Sequence, residues 1–193
     1  MTDPISYTNR KGQTYYLCAA TMKTGKTRYV MAKTPEGALS ELPEGYAITE
    51  SVNGQVSVGR IKPRLITESE EAAVRYELDR LGLVNYRVAV KRTYITIYEP
   101  LHHEEDDYSS VFEQVNVFPT IMKKILAKKI AKGPFEPVMR FCIIDKNKRL
   151  FDVERMTYRG MGGWRSLSEF TTLPELIQKY LKHLGKDSFY DLV

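Results

Sequence analysis

Tyr15-Tyr16-Leu17-Cys18-Ala19-Ala20-Thr21-Met22-Lys23-Thr24-Gly25-Lys26-Thr27-Arg28-Tyr29-Val30-Met31-Ala32-Lys33 admits two incompatible readings, and the choice between them decides the fold. As a motif it holds a small residue, four others, then Gly25-Lys26-Thr27, the outline of a phosphate-binding loop. As a pattern it is two apolar, β-prone runs that meet at Thr24-Gly25. A phosphate loop needs a helix directly after its lysine, so that aligned N–H groups and the positive dipole end face the anion. Here Arg28-Tyr29-Val30-Met31 follow, and Pro35 would break any helix within about two turns. Ala20 also stands where the stricter motif has glycine. The stretch is therefore read as a β-hairpin, with Lys26 a turn residue.

A second nucleotide-site signal would be Phe141-Cys142-Ile143-Ile144-Asp145, four apolar residues and an acid. It runs into Lys146-Asn147-Lys148, a turn composition, and then into another strand-like run from Leu150 to Val153. Asp145 accordingly begins a hairpin turn rather than holding a metal.

With 193 residues the chain has enough length for a core without disulfide or metal support. Its 42% hydrophobic and 27% charged residues are ordinary for a globular protein. Cys18 and Cys142 fall inside apolar runs and are read as reduced, buried thiols of a cytoplasmic protein. The N-terminus carries no basic-then-apolar leader, and no stretch has the 18 or so apolar residues that a membrane helix needs. Twenty-nine basic and 24 acidic residues give a net charge of +5, which permits an acidic partner without requiring one.

Outward from the hairpin, residues 1–12 are polar and read as a loose arm. Pro35-Glu36-Gly37 and Pro43-Glu44-Gly45 punctuate the chain, and Tyr46 to Val52 and Gln55 to Ile61 form a second hairpin about Asn53-Gly54. Residues 1–62 are expected to be a β subdomain of two hairpins, and residues 63–193 an α+β domain of alternating helices and hairpins. In the latter, Thr67 and Glu70 make a capping box, with Val74, Leu78 and Leu81 at helical spacing and Gly82 to end the helix. Tyr86 to Tyr98 is a hairpin that turns its Val88, Val90, Ile95 and Ile97 to a core. Ser110 and Glu113 open a second helix, interrupted at Pro119 and ended at Gly133-Pro134. Residues 138–156 repeat the hairpin pattern about Asp145–Lys148. Thr172 and Glu175 make a third capping box before a helix that ends at Gly185. The class is α+β, antiparallel hairpins with about three helices.

The Tyr15-Tyr16-Leu17 start, Lys23-Thr24-Gly25-Lys26 with Arg28-Tyr29, Pro43-Glu44-Gly45-Tyr46 and Asn53-Gly54-Gln55-Val56 resemble a family of bacterial hypothetical proteins. The similarity extends to Arg149-Leu150-Phe151, Trp164, and Tyr180 with His183-Leu184-Gly185-Lys186-Asp187-Ser188-Phe189. It implies one evolutionary unit and supports the turn reading of Gly25-Lys26. It carries over no catalytic or binding residue.

Three groups of residues could carry chemistry. His102-His103-Glu104-Glu105-Asp106-Asp107 has a ligand composition suited to zinc, iron or manganese, yet six consecutive polar residues are also an ordinary solvated turn, so no cofactor is expected. Lys124, Lys128 and Lys132 share one helix face at i, i+4, i+8. Lys23, Lys26, Arg28 and Lys33, with Tyr15, Tyr16 and Tyr29, place cations beside aromatic rings, a combination suited to single-stranded nucleic acid. The function expected is a non-catalytic binding module for nucleic acid or an acidic protein partner. Its contacts would be Lys124, Lys128, Lys132, Lys23, Lys26, Arg28 and Tyr29. The alternative is a metal-dependent or other enzyme centred on the 102–107 loop and the 160–163 glycine loop, between Arg159 and Arg165.

Overall fold

The computed structural model describes residues 3–101, 133–157, 162–167 and 170–192. The chain falls into two compact units, Met1–Pro63 and Arg64–Val193. Strands prevail: among the described residues there are three antiparallel sheets and two α-helices, a mixed α+β protein that is mostly β.

In the first unit, β1 (Ser6–Thr8), β2 (Thr14–Thr21) and β3 (Thr27–Ala32) form a three-stranded sheet in that order. β4 (Tyr46–Glu50) and β5 (Val56–Arg60) form a separate hairpin. One turn design serves all three hairpin connections. The N–H of Asn9, Met22 and Ser51 donates to the carbonyl of Gln13, Lys26 and Gln55, each at 2.9 Å. Between them the glycines return an N–H to the first residue's carbonyl, at 2.8 Å for Gly12 and 2.9 Å for Gly25 and Gly54. This is the three-residue hairpin loop, whose last residue must be left-handed. Gly25 takes φ +74°, a conformation glycine adopts without the steric cost a Cβ would bring. Asn53-Gly54 accordingly turns within a three-residue loop, Val52-Asn53-Gly54, and only Gly54 has a positive φ.

The polar arm expected at residues 1–12 contains a strand, β1. Tyr7 pairs with Tyr15, and the run of three residues is too short for its alternation to register as a pattern. Asn9 ends it, buried to 3% exposure. Its Oδ1 accepts from the N–H of Lys11 at 3.0 Å and of Gln13 at 2.9 Å, and its Nδ2 donates to the carbonyl of Gly54 at 2.7 Å. The Tyr7 hydroxyl donates to Glu50 at 3.0 Å, and Tyr29 meets Tyr46 edge to face at 4.9 Å. Leu17 is the one fully buried hydrophobic side chain among this unit's described residues, so directed contacts bind hairpin to sheet.

The second unit is built on an antiparallel sheet of order β10-β9-β8-β7-β6. Its strands are β6 (Arg87–Lys91), β7 (Tyr94–Pro100), β8 (Phe135–Asp145), β9 (Leu150–Thr157) and β10 (Gly163–Ser166), with the short β11 (Thr171–Thr172) also pairing with β9. Helices α1 (Glu68–Arg80) and α2 (Leu173–Tyr180) pack on one face. Ile95, Ile97, Met139, Phe141, Phe151 and Val153 line that face and are fully buried beneath Val74, Leu78, Leu176 and Ile177. Burying each such side chain stabilises by roughly 1.5–3 kcal/mol, which makes this layer the main store of apolar stability.

α1 follows its sequence signals closely. Thr67 Oγ1 accepts from the N–H of Glu70 at 3.2 Å, and Glu70 Oε2 accepts from the N–H of Thr67 at 2.8 Å. At its other end Leu83 donates to the Leu78 carbonyl at 2.9 Å past Gly82. The capping box expected at Thr172 and Glu175 does not form. Thr172 makes no side-chain cap bond, and the Glu175 carboxylate that the box would turn back to Thr172 accepts instead from the Thr171 hydroxyl. The helix expected to open at Ser110 and Glu113 lies outside the described residues.

Two contacts tie α1 to the sheet. Arg149, in the turn after β8, has φ +53° and is the one non-glycine described residue with a positive φ. Its guanidinium forks onto both oxygens of Glu70 and donates to the Leu65 carbonyl at 3.2 Å. Burial works against the Glu70 carboxylate, but hydrogen bonds from Arg149 and Thr67 outweigh it and hold its pKa below the ordinary value. Arg75, gripped by Glu71 at 2.7 Å, donates to the Val88 carbonyl on the outer side of β6 at 3.0 Å.

Two outcomes are expected from urea unfolding. Lys26→Ala should change stability by less than about 0.5 kcal/mol, whereas Gly25→Ala should cost about 1–2 kcal/mol through its left-handed backbone. Because Glu70 titrates below its unfolded value, its contribution is complete above that unfolded pKa and fades as pH falls through the folded one. Arg149→Met should therefore lower stability at neutral pH by about 1–3 kcal/mol and flatten the acid limb of the stability profile below about pH 4.5. An acid limb as steep as that of the unmodified protein would remove Glu70 from the account.

Candidate nucleic-acid interface

Side chains alternate across a strand, so the sheet of the second unit has a face opposite its helices. On β7 the sequence Tyr94-Ile95-Thr96-Ile97-Tyr98 sends both isoleucines into the core and Tyr94, Thr96 and Tyr98 the other way. The register extends this second face across the sheet. Lys91, Tyr94, Cys142 and Asp152 form one row of partners, and Ala89, Thr96, Arg140, Glu154 and Ser166 the next. Trp164 joins the same face on β10, opposite Met156.

Arg140 is the centre of this face. Its guanidinium lies 4.3 Å from the Trp164 ring and 5.2 Å from the Tyr94 ring, and Lys91 reaches the Tyr94 ring at 5.9 Å. Such contacts contribute about 0.5–1 kcal/mol each where water has access, and more where it is excluded. The Arg140 Nε–H also donates to Glu154, its direct partner across the strands. Arg87 stands over Phe135 at 5.4 Å further along. Tyr94, Tyr98, Trp164 and Arg140 are half-buried and Lys91 is exposed.

Burial raises the pKa of two titratable groups on this face. Burial, with the nearby charge of Glu154, pushes the Cys142 thiol up to about 12. A thiol so rarely ionised near neutral pH is a poor nucleophile and a poor metal ligand. Asp152 is 5% exposed and accepts a 3.0 Å hydrogen bond from the Ser166 hydroxyl, and its burial raises its pKa. Both cysteines are free.

The structure also locates the residues singled out from sequence. Lys23 and Lys26 are exposed at the tip of the β2–β3 hairpin, and Arg28 is exposed at the start of β3. Tyr29 lies on the opposite face from Arg28, against Tyr46, so ring and guanidinium do not come together. Lys124, Lys128 and Lys132 lie outside the described residues, as do His102, His103 and the rest of the 102–107 loop. Of the 160–163 loop, Gly162 precedes β10 and Gly163 is its first residue, while Gly160 and Met161 lie outside the described residues. Asp145 caps its own turn, accepting from the N–H of Asn147 at 2.8 Å and of Lys148 at 2.9 Å. Among the described residues no three His, Cys, Asp or Glu side chains converge as a metal would require, and no helix is long and apolar enough to cross a membrane. A cleft of about 440 Å³ at the end of β7 is lined by Tyr86, Glu99, Glu136 and Gly185, and its two acids suit no phosphate.

Tyr94, Arg140 and Glu154 escaped the reading from sequence, which sought cations in clusters. The alternation of Tyr-Ile-Thr-Ile-Tyr was the available signal. Comparison with known protein families, with curated proteins and with solved structures finds no match for the chain.

The thiol gives a direct check. In the folded protein, Cys142 should resist maleimide at pH 7.5 by at least about a hundredfold relative to the urea-unfolded chain, read by peptide mass. Equal rates in the two states would mean that the thiol is neither shielded nor suppressed.

Proposed function

We propose that this chain is a non-catalytic binding module whose ligand is single-stranded nucleic acid. The observation that carries the reading is the sheet face opposite the helices, where Tyr94, Tyr98 and Trp164 lie among Arg87, Lys91 and Arg140. Bases stack on exposed faces of aromatic rings and phosphates pair with the cations between them, and an antiparallel sheet spaces both along a strand of nucleic acid. Lys23, Lys26 and Arg28 of the first unit, all exposed, add to the net charge of +5 that draws a polyanion in. The high pKa of Cys142 favours this reading over a thiol enzyme at the same place.

Trp164 is the chain's single tryptophan and so reports on this face alone. Titration with an unstructured oligothymidylate should quench its emission, with an affinity that falls steeply from about 50 mM to 200 mM salt. Tyr94→Ala should weaken binding by about 1–3 kcal/mol with little change in salt slope, and Lys91→Ala should flatten the slope by about 0.7. No quenching at about 50 mM salt would end the proposal.

A further inference from the structure

We infer that Glu154 occupies the place that a ligand phosphate takes on Arg140, and so sets how strongly this face binds a polyanion. The inference rests on the nucleic-acid reading above. A carboxylate and a phosphate present the same paired oxygens to a guanidinium fork, so one can substitute for the other. Arg140 and Glu154 stand directly opposite each other in the strand register, and their side chains are 22% and 19% exposed. The pair is thus sheltered yet reachable from solvent.

Arg140 has little freedom to serve both anions. The Tyr94 and Trp164 rings, at 5.2 Å and 4.3 Å, hold its guanidinium in one place. A phosphate that takes the Arg140 Nε–H must therefore displace Glu154 rather than draw Arg140 elsewhere. Glu154 is also crowded by its own kind. Asp152 lies two residues away on the same face. Like charge at Asp152 makes Glu154 easier to displace, while the bond from Arg140 Nε–H makes it costly. The balance favours ligands that bring several phosphates at once over a single free anion.

The experiment is Trp164 emission on titration of the full chain with oligothymidylate, for the unmodified protein, Glu154→Gln, Glu154→Asp and Glu154→Gln with Arg140→Gln. Glu154→Gln should bind about tenfold tighter, the gain expected when a hydrogen-bonded charge no longer competes, and its salt slope should steepen by about 0.7. Glu154→Asp, shorter by one methylene, should fall between the two, and a melting curve establishes that each variant is folded. Removing Arg140 as well should abolish the gain. Glu68→Gln, an exposed change of the same charge on α1, should give less than about a twofold effect. The inference is overturned if Glu154→Gln binds no tighter than the unmodified protein, if the gain survives loss of Arg140, or if Glu68→Gln matches it. Absence of binding by the unmodified protein and every variant instead overturns the nucleic-acid reading, and this inference with it.

Discussion

Glu70 is one carboxylate on which two levels of the second unit depend. One of its oxygens takes the amide of Thr67 and closes the first turn of α1, and the Arg149 guanidinium forks onto both. The first role is local, three residues back along the chain, while the second spans 79 residues and reaches the turn between β8 and β9. The start of the helix and the sheet hairpin are therefore fixed by a single group. Arg149 accepts an uncommon left-handed backbone to reach it, a strain of order 1–2 kcal/mol that its five-donor side chain offsets through Glu70 and the Leu65 carbonyl.

In the first unit directed bonds take the place of a large apolar layer. Asn9 satisfies the amides of its own turn with one side-chain atom and the Gly54 carbonyl with another. Glu50 similarly accepts from the Tyr7 hydroxyl and from the N–H of Arg10. A buried amide with its partners in place orients its neighbours, and one that loses a partner is penalised by 1–3 kcal/mol or so. That asymmetry makes the unit sensitive to small polar substitutions in a way that the second unit, with its apolar layer, is not.

How far the fold was legible follows from the range of each signal. Gly25 and Gly54 marked their turns because a left-handed residue is a local requirement, and Thr67-Glu70 with Gly82 bounded α1 for the same reason. β1 was not legible: Ser6–Thr8 is polar and short, and Asn9's partner at Gly54 is 45 residues away. Thr172-Leu173-Pro174-Glu175 had the letters of a capping box, but the hydroxyl of the preceding Thr171 takes the Glu175 carboxylate instead. On the candidate face, Lys91 and Trp164 were visible as residue types. That Lys91 and Arg140 meet the Tyr94 ring, and Trp164 meets Arg140, is a property of strand register, which no single stretch records.

Arg75 has a consequence beyond anchoring α1. β6 is the edge of its sheet, and an edge strand's outward carbonyls and amides invite a further strand from another molecule. With the Val88 carbonyl already engaged by Arg75, an incoming strand would lose one of its ladder bonds and meet a charged side chain there. The helix thus blocks one pairing position of that edge as well as covering the sheet's face, which disfavours strand addition there.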